Sequence, residues 1–207
     1  MNFNKYKKIL WDFDGVILDS MEIRNNGFKL VLKDYPLHQV NLLMEYHISN
    51  GGLSRYNKFR YFFEIIRGES VTEKQIQMLA DKFSEIMLNN LINDNLLIKD
   101  SVDFIKYNFK NLTMHIVSGS DQNELREICN KLGIDKYFKS IHGSPTPKNE
   151  LVKILLKTEN YNLNETCLIG DSMNDYEAAK INGISFFGYN NKQFENPKFN
   201  FIKSFKN

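Results

Sequence analysis

From Ser20 to about Asn95 the sequence contains no strand-like run, although such runs stand on either side of it. The pattern there is helical. Phe28, Val31 and Leu32 fall at helical spacing, and Thr72-Glu73-Lys74-Gln75 reads as a capping box ahead of an apolar stripe at Ile76, Leu79, Ala80, Phe83, Ile86 and Met87. The stripe is read as packing, with no further role. A glycine-rich break, Ser49-Asn50-Gly51-Gly52-Leu53-Ser54-Arg55, interrupts the helices. About eighty helical residues cannot lie within a sheet, so they form an insertion whose flanking segments must complete the sheet.

Those flanking segments alternate between strands and helices. Lys8 to Asp12 reads as a first buried strand, and Leu112 to Val117 as a second, followed by Ser118-Gly119-Ser120-Asp121. The next helix aligns Leu125, Ile128, Cys129 and Leu132 on one face until Gly133 stops it. Tyr137 to Ile141 follows as a third strand, then a helix opening at Lys148, a strand at Thr166 to Ile169, a helix from about Asn174 to Asn182, and a strand at Ile184 to Phe187. Repeated units of this length specify an α/β fold with a doubly wound parallel sheet. Ligands bind such sheets at the carboxyl ends of the strands.

Polar residues with chemical potential gather at those ends. Asp12 and Asp14 follow the first strand, Ser118 the second and Asp171 the fourth, while Lys148 opens the helix after the third. Two carboxylates that close repel each other, so the pair wants a cation or a shared proton. An Asp-x-Asp before a glycine is also what a plain strand-to-turn transition looks like. The spacing of Asp171 and Asp175, in Gly170-Asp171-Ser172-Met173-Asn174-Asp175, puts both on one helical face and is a rarer pattern. Lys148 sits where the helix dipole disfavours a cation, by a few tenths of a kcal/mol or about 1 kcal/mol at most. It is either a solvated surface lysine or an ammonium aimed among the carboxylates.

The remaining composition removes other classes. A net charge of +2 with no long basic block gives no footprint for a nucleic acid polymer. Cys129 and Cys167, far apart in apolar surroundings, read as buried thiols of a reducing compartment. Neither a signal peptide in the polar Met1 to Lys8 nor a membrane span is expected, which makes the cytoplasm the default location. Oligomeric state has no signature in the sequence.

Taken as an ordered set, Asp12-Phe13-Asp14-Gly15-Val16, Ser118, Lys148 and Gly170-Asp171-x-x-x-Asp175 resemble the four motifs of the haloacid dehalogenase superfamily of phosphotransferases. The helical insertion sits where superfamily phosphatases of the phosphoglycolate phosphatase and β-phosphoglucomutase type carry a cap. The resemblance implies a Rossmann-like catalytic core at residues 1–18 and 96–207 and an inserted helical cap at 19–95. It implies a Mg²⁺-dependent phosphomonoesterase for a small phosphorylated metabolite. In that reading Asp12 is the nucleophile that becomes an aspartyl phosphate, and Asp14 is the acid and base. Mg²⁺ is held by Asp12, the main-chain carbonyl of Asp14, Asp171 and Asp175, while Ser118, Gly119 and Lys148 bind the phosphoryl oxygens.

A mutase of the same subgroup is the alternative. Such mutases carry a histidine on the first cap helix, where this chain has Arg24, and Gly52 with Arg55 resembles the cap loop that reaches substrate. Arg24, Gly52 and Arg55 are therefore candidate specificity residues, with the arginines able to clamp a carboxylate or second phosphate. A receiver-like signalling module or a degenerate phosphate-binding protein is the reading from a different class. The eighty-residue interruption argues against the first, and the filled reactive positions argue against the second.

Overall fold

The computed structural model of the chain describes residues 5–206. The reading of the N-terminus as leader-free therefore lies in part, at residues 1–4, outside the described residues. The sheet is built from β1 (Lys8–Trp11), β2 (Thr113–Asp121), β3 (Ser140–Ser144), β4 (Thr166–Gly170), β5 (Ser185–Tyr189) and β6 (Asn200–Ile202). All pairings are parallel, in the order β3-β2-β1-β4-β5-β6. The chain works outward from β1 through β2 to β3, then returns across β1 to lay down β4 to β6. The strand order thus reverses beside β1, which is where a doubly wound sheet opens a crevice.

A central parallel strand is covered on both faces, and β1 is apolar for that reason. Ile9, Leu10 and Trp11 are fully buried. Alternation sends Ile9 and Trp11 into one apolar cluster with Met114, Ile116 and Ile169, and Leu10 into another with Val117 and Leu168. The second cluster is closed by α7 (Lys148–Thr158) and α8 (Met173–Ile181). On the other face lie α5 (Lys99–Asn108) and α6 (Gln122–Lys131), contributing Val102, Ile105, Leu125 and Ile128.

The inserted segment folds into α1 (Met21–Val31), α2 (Leu37–Ser49), α3 (Arg55–Tyr61), a π-helical turn at Phe62–Arg67, and α4 (Glu73–Leu91). The capping box at Thr72 and Gln75 is formed, and Ile76, Ala80, Phe83 and Met87 are buried behind it. The chain leaves and re-enters the sheet domain through adjacent segments. Leu18 bridges Leu97, Asp19 N donates to Leu96 O at 2.8 Å, and Ile98 N donates to Ile17 O at 2.9 Å. We propose this junction as the division between a cap, 19–95, and the core.

Two local expectations are corrected. Tyr137 belongs to a 3₁₀ turn, Asp135–Tyr137, and β3 starts only at Ser140. β2 does not stop at Val117 but continues through an irregularity to Asp121, so Ser118 lies inside the strand. Ser20 occupies the N-cap of α1 without a side-chain capping bond, and its hydroxyl donates to Asp14. Cys129 and Cys167 are free and buried, and no described helix is long and apolar enough to cross a membrane.

Candidate active site

Asp12 leaves the end of β1 with its amide bonded to Ile169 O of β4 at 2.9 Å, at the point where the strand order reverses. Its carboxylate accepts from Lys148 Nζ at 2.8 Å, and Lys148 also donates to Asp175. The lysine side chain has no solvent exposure. A cation misplaced for the helix dipole is thus held by two buried carboxylates, and the surface reading of Lys148 is excluded. It is not among the side chains lining the adjoining cavity, whereas Asp12, Asp14, Ser118, Gly119 and Asp171 are.

Asp171 follows β4, and Asp175 sits in the first turn of α8, where its Oδ2 accepts from Ser172 N at 3.0 Å and Ser172 Oγ at 2.6 Å. One carboxylate oxygen from each of Asp12, Asp171 and Asp175 lies within 4.8 Å of the others. Burial and the neighbouring carboxylates disfavour ionisation of Asp12 and Asp171. Burial first, then Asp175, pushes Asp12 up to about 7 against the pull of Lys148. Burial, then Asp12 and Asp175, pushes Asp171 up to about 9. An all-oxygen donor set of three clustered carboxylates fits a hard divalent cation. Gly15 is required in this packing: its φ is +74°, and a Cβ there would meet Asp171 Oδ2 at 2.1 Å.

Asp14 diverges from Asp12 and has its own counter-charge. Its Oδ1 accepts from Arg24 Nε at 2.5 Å and from Ser20 Oγ, and its Oδ2 accepts from Ser120 Oγ at 2.5 Å. Burial works to raise its pKa, but Arg24 and the two hydroxyls prevail and hold it below the usual value. Arg24 therefore meets the second aspartate directly, and it also reaches Glu124 at 3.1 Å. Arg55 joins the same Glu124 at 2.5 Å, donates to Ser84 Oγ at 2.7 Å, and lies with its guanidinium 4.5 Å from the Phe83 ring centroid. Phe83, read from the sequence as packing alone, is also part of the site wall.

The cavity between core and cap has a volume of about 460 Å³ and is walled on the cap side by Arg24, His47, Gly52, Arg55 and Lys58. Asp12, Asp14, Ser118, Gly119, Asp171, Arg24, Gly52 and Arg55 all face it, while Lys148 and Asp175 stand behind Asp12. Sequence reasoning missed Ser20, Ser120, His47, Lys58 and Glu124. Ser120 carried a signal, being two residues past Ser118 on one strand and so on the same face. Lys58 is one helical turn from Arg55.

Comparisons with known proteins place this arrangement. A 5′-nucleotidase of Pseudomonas aeruginosa is 25% identical over 192 residues, spanning 89% of this chain and 82% of that protein. A β-phosphoglucomutase structure from Clostridium difficile aligns with a TM-score of 0.74 at 19% identity, covering 97% of this chain and 92% of that one. YfnB of Bacillus subtilis, solved with magnesium bound, aligns with a TM-score of 0.69 at 18% identity over 97% and 95% of the two chains. These two structural likenesses speak to the fold. A sequence model of the haloacid dehalogenase-like hydrolases matches residues 9–189, which takes in the strands β1 to β5 and every acidic residue of the site, and the chain belongs to that family.

Proposed function

We propose that the protein is a Mg²⁺-dependent phosphomonoesterase that works through an aspartyl phosphate on Asp12. The observation that carries this reading is the position of Asp12: at the end of the central strand, facing the cavity, with Lys148 at 2.8 Å and two further carboxylates beside it. Asp12, Asp171 and the main-chain carbonyl of Asp14 would hold Mg²⁺. Asp175, whose oxygens already serve Lys148 and Ser172, would orient that set from behind. The ion supplies the positive charge that lets a carboxylate approach a phosphate dianion.

The chain's own groups then divide the work. An oxygen of Asp12 attacks phosphorus in line as the bond to the leaving oxygen breaks. Ser118 and the main chain at Gly119 receive the phosphoryl oxygens, and Lys148 keeps Asp12 oriented and can extend toward the same oxygens. Asp14 protonates the leaving oxygen, then takes a proton from the water that cleaves the aspartyl phosphate. Arg24, Ser20 and Ser120 hold Asp14 as the carboxylate, the form the second step requires. The first step needs the acid, so Asp14 must take up a proton from solvent when the dianionic substrate binds, since the substrate's charge raises the pKa of Asp14.

The test is phosphate release from a panel of sugar phosphates, polyol phosphates and nucleoside monophosphates, the last included because of the name of the Pseudomonas relative. Asp12→Asn should abolish turnover and leave the fold intact. Asp14→Asn should slow turnover by about 10²–10⁴-fold, the usual contribution of a general acid–base group. Wild-type rates in the Asp12 variant reject the mechanism, and isomerisation of a sugar phosphate without net release favours a mutase.

A further inference from the structure

The cap wall of the cavity carries more positive charge than the protein itself neutralises. Arg24 is paired with Asp14 and Glu124, and Arg55 with Glu124. Lys58, only 3% exposed, has no carboxylate partner among the described residues. Its ammonium donates instead to His47 Nδ1 at 2.7 Å, and His47 Nε2 lies 2.8 Å from Asn25 Oδ1. That pairing fixes the imidazole as the neutral tautomer, with Nε2–H donating to Asn25 and Nδ1 accepting from Lys58. Three cations thus stand against two carboxylates in one buried wall.

A second observation agrees. Among the described residues, Nη2 of Arg24 and Nη2 of Arg55 are both buried without a hydrogen-bond partner, as is Oε2 of Glu124 beside them, although each arginine is otherwise well bonded. Orphaned guanidinium nitrogens and an uncompensated ammonium are costly in a fold unless something with negative charge completes them. The phosphoryl end of a substrate is already provided for at Asp12, Ser118 and Gly119, on the opposite wall. The cap cluster therefore has a charge left to meet.

We propose that Lys58, seated on His47, recognises a second negative charge at the far end of the phosphoester, with Nη2 of Arg24 and Arg55 closing around it. The substrate is then a phosphoester that also bears a carboxylate or a second phosphate. This rests on the phosphatase reading for where the first phosphate lies. With Lys58 protonated the wall carries one unit of excess charge, which matches a carboxylate better than a phosphate dianion. Burial first, then Arg24 and Arg55, drives Lys58 down to about 7 against the opposing pull of Asp14. His47, driven down to about 3 mainly by burial and next by Lys58, stays a neutral acceptor. Docking of an anion raises the pKa of Lys58 again, so binding at pH 8 takes up a proton that a phosphoester with a neutral far end does not call for.

The test uses three phosphate monoesters built on a three-carbon chain: O-phospho-3-hydroxypropanoate, propane-1,3-diol bisphosphate and 3-hydroxypropyl phosphate, which is uncharged at its far end. Calorimetric titration of the full-length Asp12→Asn protein in Mg²⁺ reads affinity without turnover, so it decides the question even if no ester is hydrolysed. Failure of the phosphatase reading would appear separately, as no phosphate release by the wild type. At least one ligand charged at its far end should bind about 30-fold or more tightly than 3-hydroxypropyl phosphate, as for a buried charge pair made on binding. Its proton uptake at pH 8, from buffers of different ionisation heat, should exceed that of 3-hydroxypropyl phosphate. Tighter carboxylate or tighter bisphosphate binding identifies which anion. Adding Lys58→Met should collapse the affinity ratio of charged to neutral far ends to within about threefold, and Lys58→Arg should retain most of it. Equal affinity for all three ligands in the parent protein overturns the proposal without recourse to either variant, and so does an unchanged ratio in Lys58→Met.

Discussion

Lys148 shows what one side chain does when its local and tertiary preferences conflict. The helix dipole opposes an ammonium in the first turn of α7, yet the side chain is fully buried between Asp12 and Asp175. Removing one partner from a buried ionic set leaves the others uncompensated, which costs about 3–5 kcal/mol. Lys148→Met should therefore lose about that much stability in chelator, measured by urea unfolding. Mg²⁺ should return part of the loss, because the cation becomes the counter-charge for the same acids. A variant as stable as its parent in chelator would show that Lys148 is not the charge that holds these carboxylates together. The lysine was legible as a conflict in the sequence: a cation where a cation is disfavoured asks for a reason.

At the scale of elements, one contact between cap and core is a backbone approach that only a glycine permits. A Cβ on Gly119 of β2 would lie 2.0 Å from Gly52 O in the cap loop. That same carbonyl accepts from Asn174 Nδ2 of α8 at 3.1 Å, and nearby Tyr56 OH donates to Asp121 Oδ2 at 2.7 Å. Gly119→Ala should therefore push the 51–54 loop off the core and leave the sheet paired. Hydrogen exchange should quicken at Gly52 to Lys58 while β1 and β4 keep their protection. Faster exchange throughout the sheet would mean that the glycine serves the core instead. Periodicity and turn chemistry carried the strands β1, β2, β4 and β5, the capping box of α4 and the order of the site residues. β6 was missed because three residues, Asn200-Phe201-Ile202, are too short to show alternation. Tyr137 misled because an apolar residue at a 3₁₀ turn reads like the start of a strand. The partners Glu124, Lys58 and His47 were invisible for another reason. Arg24 and Glu124 are one hundred residues apart, and nothing in the pattern of a helix says which face of another helix it will meet.

For the whole molecule, the acid cluster makes divalent-ion binding and stability one equilibrium. Without metal, Asp12 is raised to about 7 and Asp171 to about 9, against 3.8 for the free carboxyl. A carboxyl raised on folding stabilises fully below its unfolded pKa, and that contribution is lost as pH rises through the folded pKa. From pH 4 to 9 the metal-free fold is therefore progressively weakened by these two groups, by at most about 1.4 kcal/mol per pH unit for each. On the proposed reading Mg²⁺ would bind the deprotonated forms and displace those protons, so its affinity should rise over the same range. Both effects push the difference in one direction. Other buried groups work oppositely: His47 and Lys58, both lowered on folding, favour the fold as pH rises through their own windows. They are common to both arms of a comparison with and without metal and cancel from it. The melting temperature in Mg²⁺ minus that in chelator should thus grow steadily from pH 5 to pH 9, at fixed ionic strength. Asp171→Asn should flatten the curve, because it removes both a ligand and the more strongly raised acid. A difference that is constant with pH, or that falls, would detach the ion from Asp12 and Asp171 and place it elsewhere on the protein.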